Sequence, residues 1–177
     1  MKNVLVVGSG AREVAIARCI SQSSIKNSLF CASKDINPQI FDLCKDYFVV
    51  DLVNISDIVS YSRKNKVDLA IVGPENPLAN GIVNELENVG VRCVGPKKEV
   101  ALIETSKSFA RKIIDLCCPE KNPKRKEFSS IEGVESFIKQ LGGEYVIKFD
   151  GLMGGKGVRV SGEHLKNIDE GVAYANE

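Results

Sequence analysis

Through its first half the chain alternates short apolar, β-branched runs with stretches whose apolar residues recur every three to four positions. A buried strand is expected at residues 3–7, ending in the turn Gly8-Ser9-Gly10, with a helix at 11–20 that places Ile16, Ala17 and Ile20 on one face. Further strands are expected at 29–32, 47–50, 69–72 and 91–94. A helix at 56–64 would take Ser56 as its N-cap, because a serine hydroxyl can accept an orphan backbone N–H. Another is marked by Leu78, Ile82, Val83, Leu86 and Val89, with Gly90 as its stop.

Strand–helix alternation with strands apolar on both faces predicts an α/β fold, a doubly wound parallel sheet of Rossmann-like type. Right-handed crossovers then bring the strand-to-helix loops, Gly8-Ser9-Gly10 and Gly73-Pro74 among them, to one sheet edge, where ligands of such sheets bind. The expected organisation is a first domain at 1–96, a linking helix within 97–119 and a small α+β domain at 120–177. The long helix would run from 98 to 117, a charged linker from 120 to 126, and a second helix from 131 to 141. Strands at 145–149 and 158–160 would then flank a glycine-rich loop.

Composition narrows the function. Of 177 residues, 44% are hydrophobic and 27% charged, the balance of a soluble globular protein. Lys and Arg total 24 against 23 acids, a net +1, which excludes the basic field of a nucleic-acid binder. No apolar run approaches the roughly 18 residues that span a bilayer. The amino end is too short in apolar residues for a signal peptide, so a cytoplasmic protein without a membrane partner is expected. Six cysteines contain no C-x-x-C pair and are expected as small core residues in a reducing compartment. The lone His164 reads as a surface loop residue.

Three segments could carry chemistry. Gly8-Ser9-Gly10-Ala11-Arg12-Glu13 joins a strand to a helix, so backbone N–H groups and the Arg12 guanidinium can converge on a sugar phosphate. As a dinucleotide fingerprint it lacks a third small residue at Glu13, and Asp35 is loosely placed for the acid; a tight structural turn is the plain alternative. Asp150-Gly151-Leu152-Met153-Gly154-Gly155-Lys156-Gly157 fails as a Walker A loop, having Asp150 where the first glycine belongs and Gly157 where Ser or Thr belongs. On a hairpin, four glycines and Lys156 would form a flap over a polyphosphate, with Lys148 a fixed charge beside it; a plain glycine-rich hairpin is the alternative. Gly73-Pro74-Glu75-Asn76-Pro77-Leu78 would start a helix with Pro77 at N1 and present a carboxylate at the ligand edge.

Together with Gly95-Pro96, Glu104-Thr105-Ser106-Lys107-Ser108-Phe109 and the 146–158 stretch, these segments resemble the phosphoribosylamine–glycine ligase (glycinamide ribonucleotide synthetase) family of ATP-grasp enzymes, its archaeal members in particular. The resemblance implies that ATP phosphorylates the glycine carboxylate and the amine of phosphoribosylamine attacks the acyl phosphate, with Mg²⁺ or Mn²⁺ assisting in the complete enzyme. It places the sugar phosphate near Gly10, Arg12 and Glu13 and the sugar near Pro74 and Glu75. It places ATP phosphates near Lys107, Lys148 and the flap residues Gly151, Gly154, Gly155, Lys156 and Gly157. Two departures stand out: Ala11 and Val14 replace a glycine and a histidine, and the chain is less than half the family's length. The resemblance therefore implies an N-terminal portion, inert alone, whose metal ligands lie in a missing C-terminal half. Another ATP-grasp carboxylate–amine ligase and a noncatalytic nucleotide-binding module are the rival readings.

Overall fold

In the computed structural model, which describes Met1–Glu177, β1 (Lys2–Val7) lies at the centre of a parallel sheet. β2 (Asn27–Ser33) and β3 (Asp46–Val49) lie to one side, β4 (Leu69–Val72) and β5 (Arg92–Val94) to the other, giving the order β3-β2-β1-β4-β5. Strand alternation sorts the core. Leu5, Val7, Phe30 and Ala32 enter one apolar cluster, while Val6, Leu29 and Cys31 enter a second on the opposite face. α1 (Ala11–Ser21) and α2 (Pro38–Phe41) cover the second cluster through Ala17 and Ile40. α3 (Ile55–Lys64) and α5 (Ile82–Asn88) cover the first through Ile58, Tyr61, Ile82, Val83 and Leu86. The doubly wound sheet expected from the sequence is therefore the fold.

Several local expectations are corrected. Asn54, not Ser56, is the N-cap of α3, and the Ser56 hydroxyl donates to Asn54 Oδ1 at 2.9 Å. The helix expected around Leu78 is two: α4 (Glu75–Ala79) starts on Pro74 as N-cap, which puts Pro77 at the third helical position, and Gly81 then turns the chain into α5. The long helix breaks at Ser106 into α6 (Lys98–Thr105) and α7 (Lys107–Cys117), because the Ser106 hydroxyl accepts the Phe109 N–H at 3.1 Å and starts a new helix. Cys19 and Cys117 are exposed on helices rather than packed in the core; Cys31 is the buried one.

The chain divides into two compact units, Met1–Leu102 and Ile103–Glu177. In the second, α8 (Val134–Gln140) and α9 (Ile168–Ala175) pack with the antiparallel hairpin of β6 (Val146–Lys148) and β7 (Val158–Val160) around Val134, Ile138, Tyr145, Leu165 and Tyr174. The 120–126 segment is no free linker: Asn122 bonds the Arg111 carbonyl at 2.9 Å and Asp115 at 2.6 Å, and Arg125 pairs with Asp115 and Glu127. No helix is long and apolar enough to cross a membrane.

Candidate functional site

Two groups of residues stand out, one in each unit. The first lies at the C-terminal ends of β1 and β4, between which the strand order reverses, the switch point where open α/β sheets bind ligands. Gly8, at φ +109°, turns the chain out of β1 in a conformation that side chains disfavour, and a Cβ there would lie 2.8 Å from Pro74 Cγ. The β1–α1 and β4–α4 turns are thus interlocked. Glu13, only 3% exposed, sits beneath them and accepts the Gly10 N–H through Oε2 at 2.6 Å, the backward half of a capping box. Its Oε1 is buried without a hydrogen-bond partner, in the space left by the missing Gly73 side chain. Glu13 therefore fixes the shape of the turn.

Above that buried carboxylate, Arg12 Nη2 donates to Glu75 Oε1 at 3.0 Å, linking the first turn of α1 to the first turn of α4. Both side chains are largely open to water, at 65% and 42%. The Glu75 carboxyl is held below the usual range by its own backbone N–H and by Arg12, against the opposing effect of partial burial. Asn37 Nδ2 supports the turn by donating to the Ser9 carbonyl at 2.8 Å. Gly10, Arg12, Pro74 and Glu75 are thereby brought together, a guanidinium and a helix N-terminus facing solvent beside a carboxylate. Ala11 is the first helical residue, so glycine's freedom is not required there, and Val14 packs into the second apolar cluster.

The second group is the flap. β6 pairs with β7 through Lys148 and Val158, and the Phe149 N–H bonds the Gly157 carbonyl at 2.9 Å, closing the hairpin base. Residues 152–156 are exposed, and Gly151, Gly154 and Gly155 have φ of +99°, +55° and +79°. One backbone bond lies within the loop, from Lys156 N–H to the Met153 carbonyl at 3.0 Å. Lys148 and Lys156 are exposed. Lys107 reaches the flap's first residue, its Nζ donating to the Gly151 carbonyl at 2.7 Å.

Sequence reading missed Asp150 as a contributor. Its carboxylate accepts hydrogen bonds from Ser106, Lys107, Ser108 and Gly151. Burial acts against the charge, but these donors hold the carboxyl below its ordinary value of 3.8. No local signal marked it: the helical rhythm of Leu102, Phe109 and Ile113 runs across Ser106, whose capping role makes the start of α7 an anion position only once the structure shows the bond. His164 lies in a turn, its Nδ1 accepting the Val160 N–H at 3.3 Å. No group of three or more His, Cys, Asp or Glu is placed to hold a metal ion.

Comparison with known proteins places these turns in a family context. Residues 2–104 match the family described as phosphoribosylglycinamide synthetase, N domain. A phosphoribosylamine–glycine ligase of Methanococcoides burtonii is 41% identical over 97% of this chain and 39% of its own length. Among solved structures, an N5-carboxyaminoimidazole synthetase from Staphylococcus aureus complexed with ADP superposes at TM-score 0.72 and 14% identity, covering 98% of this chain and 44% of that one. A phosphoribosylglycinamide synthetase from Anaerococcus prevotii gives TM-score 0.62 at 12% identity, covering 97% and 40%. The structural likenesses establish the fold alone. The chain spans about 39% of the length of the Methanococcoides relative.

Proposed function

The chain belongs to the phosphoribosylglycinamide synthetase N-domain family, and from that premise we propose that it is the N-terminal portion of an ATP-dependent ligase that joins 5-phosphoribosylamine to glycine. The observation that carries the reading is the open flap, in which the N–H groups of residues 152–155 have no protein acceptor and Lys156 stands among them. Such a loop can wrap a triphosphate at little cost, since its donors are already free of internal bonds. Lys107 and Lys148 add charge at its root.

In this reading the first unit holds phosphoribosylamine: the helix N-terminus at Gly10 and the Arg12 guanidinium take its phosphate, and Pro74 and Glu75 take its sugar. In the second unit the lysines and flap amides neutralise charge on the phosphoryl group passing to the glycine carboxylate, and the flap keeps water from the acyl phosphate. The amine then attacks, and glycinamide ribonucleotide, ADP and phosphate leave. The residues present do not fit the divalent cation that the resemblance implies, because no acidic cluster of the required size exists. Its ligands are assigned to the portion of the relatives that this chain does not span, and the isolated chain is inert in catalysis. A cytoplasmic location follows from the same reading.

Titrations test this. Ribose 5-phosphate, a stable stand-in for phosphoribosylamine, should perturb the amide signals of Gly10, Arg12 and Glu75, and ATP those of residues 151–157. Saturable NADH binding at residues 8–13, with no response to ribose 5-phosphate, would overturn the proposal in favour of a nucleotide-binding module. Glycinamide ribonucleotide formation by the purified chain would overturn its inertness.

A further inference from the structure

The flap's root is fastened by one carboxylate. Asp150 Oδ1 accepts the N–H groups of Lys107 at 2.6 Å, Gly151 at 3.0 Å and Ser108 at 3.3 Å, while Oδ2 accepts the Ser106 hydroxyl at 3.0 Å. Lys107 and Ser108 are the first two residues of α7, whose N–H groups have no partner within the helix. The positive end of α7 is therefore filled by a carboxylate from the loop that follows β6. Lys107 closes a ring: its backbone N–H holds Asp150, and its ammonium holds the carbonyl of the next residue, Gly151. Past Gly151 the chain is exposed as far as Lys156.

We propose that Asp150 is a positioning residue for the flap, pinning its pivot at Gly151 to the N-terminus of α7 and thereby aiming the Lys107 ammonium. Gly151, at φ +99°, is held at both its N–H and its carbonyl, so the residues that can swing are those after it. The flap then moves as a hinged cover about a fixed point, and the phosphate-binding lysine at its root keeps one place whether the cover is open or closed. The inference rests on the reading of residues 151–157 as a nucleotide flap, but the clamp itself exists without nucleotide.

The test uses the whole chain, free of nucleotide. In Asp150→Ala, amide exchange at Gly151 and Lys156, followed by NMR, should accelerate about tenfold or more, as should acylation of the Lys107 amine, because charged hydrogen bonds to two elements are lost together. Exchange in the β6–β7 ladder should stay as in the wild type. Asp150→Asn, which keeps one carbonyl oxygen for the three N–H groups, should fall between the two and serves as the test if the alanine variant does not fold. Faster exchange confined to Lys107, Ser108 and Phe109, with Lys156 exchange and Lys107 acylation unchanged, would make Asp150 a helix cap only and overturn the proposal. Adding ATP to the wild type separates the two readings: no effect on residues 151–157 would overturn the nucleotide flap while leaving the clamp result standing.

Discussion

Glu13 and Gly73 share one small volume. A Cβ built on Gly73 would lie 2.6 Å from Glu13 Cδ and 3.0 Å from its Cγ, so the buried carboxylate occupies the place of the side chain that Gly73 lacks. Glu13 cannot withdraw freely, because its other oxygen holds the Gly10 N–H at 2.6 Å. Gly73→Ala should therefore cost roughly 1–3 kcal/mol of stability, the range for overpacking a filled site. Denaturant melts would measure it. In a double-mutant cycle, Glu13→Ala should remove most of that penalty, since the small side chain vacates the volume. Additive effects would mean that the two residues do not compete for space.

The Arg12–Glu75 pair should behave differently, because it is exposed. Breaking it should change stability by less than about 1 kcal/mol. Its effect belongs to binding: Arg12→Met should weaken ribose 5-phosphate by about tenfold or more, the scale of a lost charge-assisted hydrogen bond. Glu75→Gln should free the guanidinium and tighten inorganic phosphate by up to about fivefold. Calorimetric titration of both ligands, beside thermal melts, would check this. Equal loss of melting temperature in both variants, with binding unchanged, would assign the pair to the fold.

Legibility in the sequence followed the range of the interaction. The core strands were readable because Val4, Leu5, Val6 and Val7 form an unbroken apolar run that stops at Gly8, a local signal for a central parallel strand. The turn residues Gly10, Arg12, Pro74 and Glu75 were readable as a shared edge, since crossover handedness alone brings the two loops together. The break at Ser106 was hidden, because Leu102, Phe109 and Ile113 keep a helical rhythm across it and only the capping bond reveals it. The Glu13–Gly73 fit and the Asp150 clamp were hidden too. Both join residues far apart in the chain, and neither a glycine nor an aspartate carries a mark of its distant partner.

Charge at the flap should matter only for phosphates. Lys156→Met and Lys148→Met should each weaken inorganic tripolyphosphate and ATP by about tenfold, the lower end for hydrogen bonds to charged groups. Adenosine carries no phosphate and should bind all three proteins alike. Since both lysines are exposed, melting temperatures should hardly move. Equal weakening of adenosine would place the effect on loop structure rather than on charge.

Acid should release the flap's root through Asp150. Burial disfavours its charge, yet Ser106 and the N–H groups of Lys107, Ser108 and Gly151 more than compensate, so its folded pKa lies below the 3.8 of a free side chain. A group with a depressed folded pKa contributes its stability fully above the unfolded value and loses it as pH falls through the folded one. The clamp should thus be intact at neutral pH and open only below 3.8. Asp115, held low by Asn122 and Arg125, titrates in the same acidic range, so the wild type must be compared with Asp150→Asn. The Lys107 and Gly151 amide shifts should titrate with a midpoint below 3.8 in the wild type and stay flat in the variant. A midpoint at or above that value would mean that the four donors do not favour the charged form.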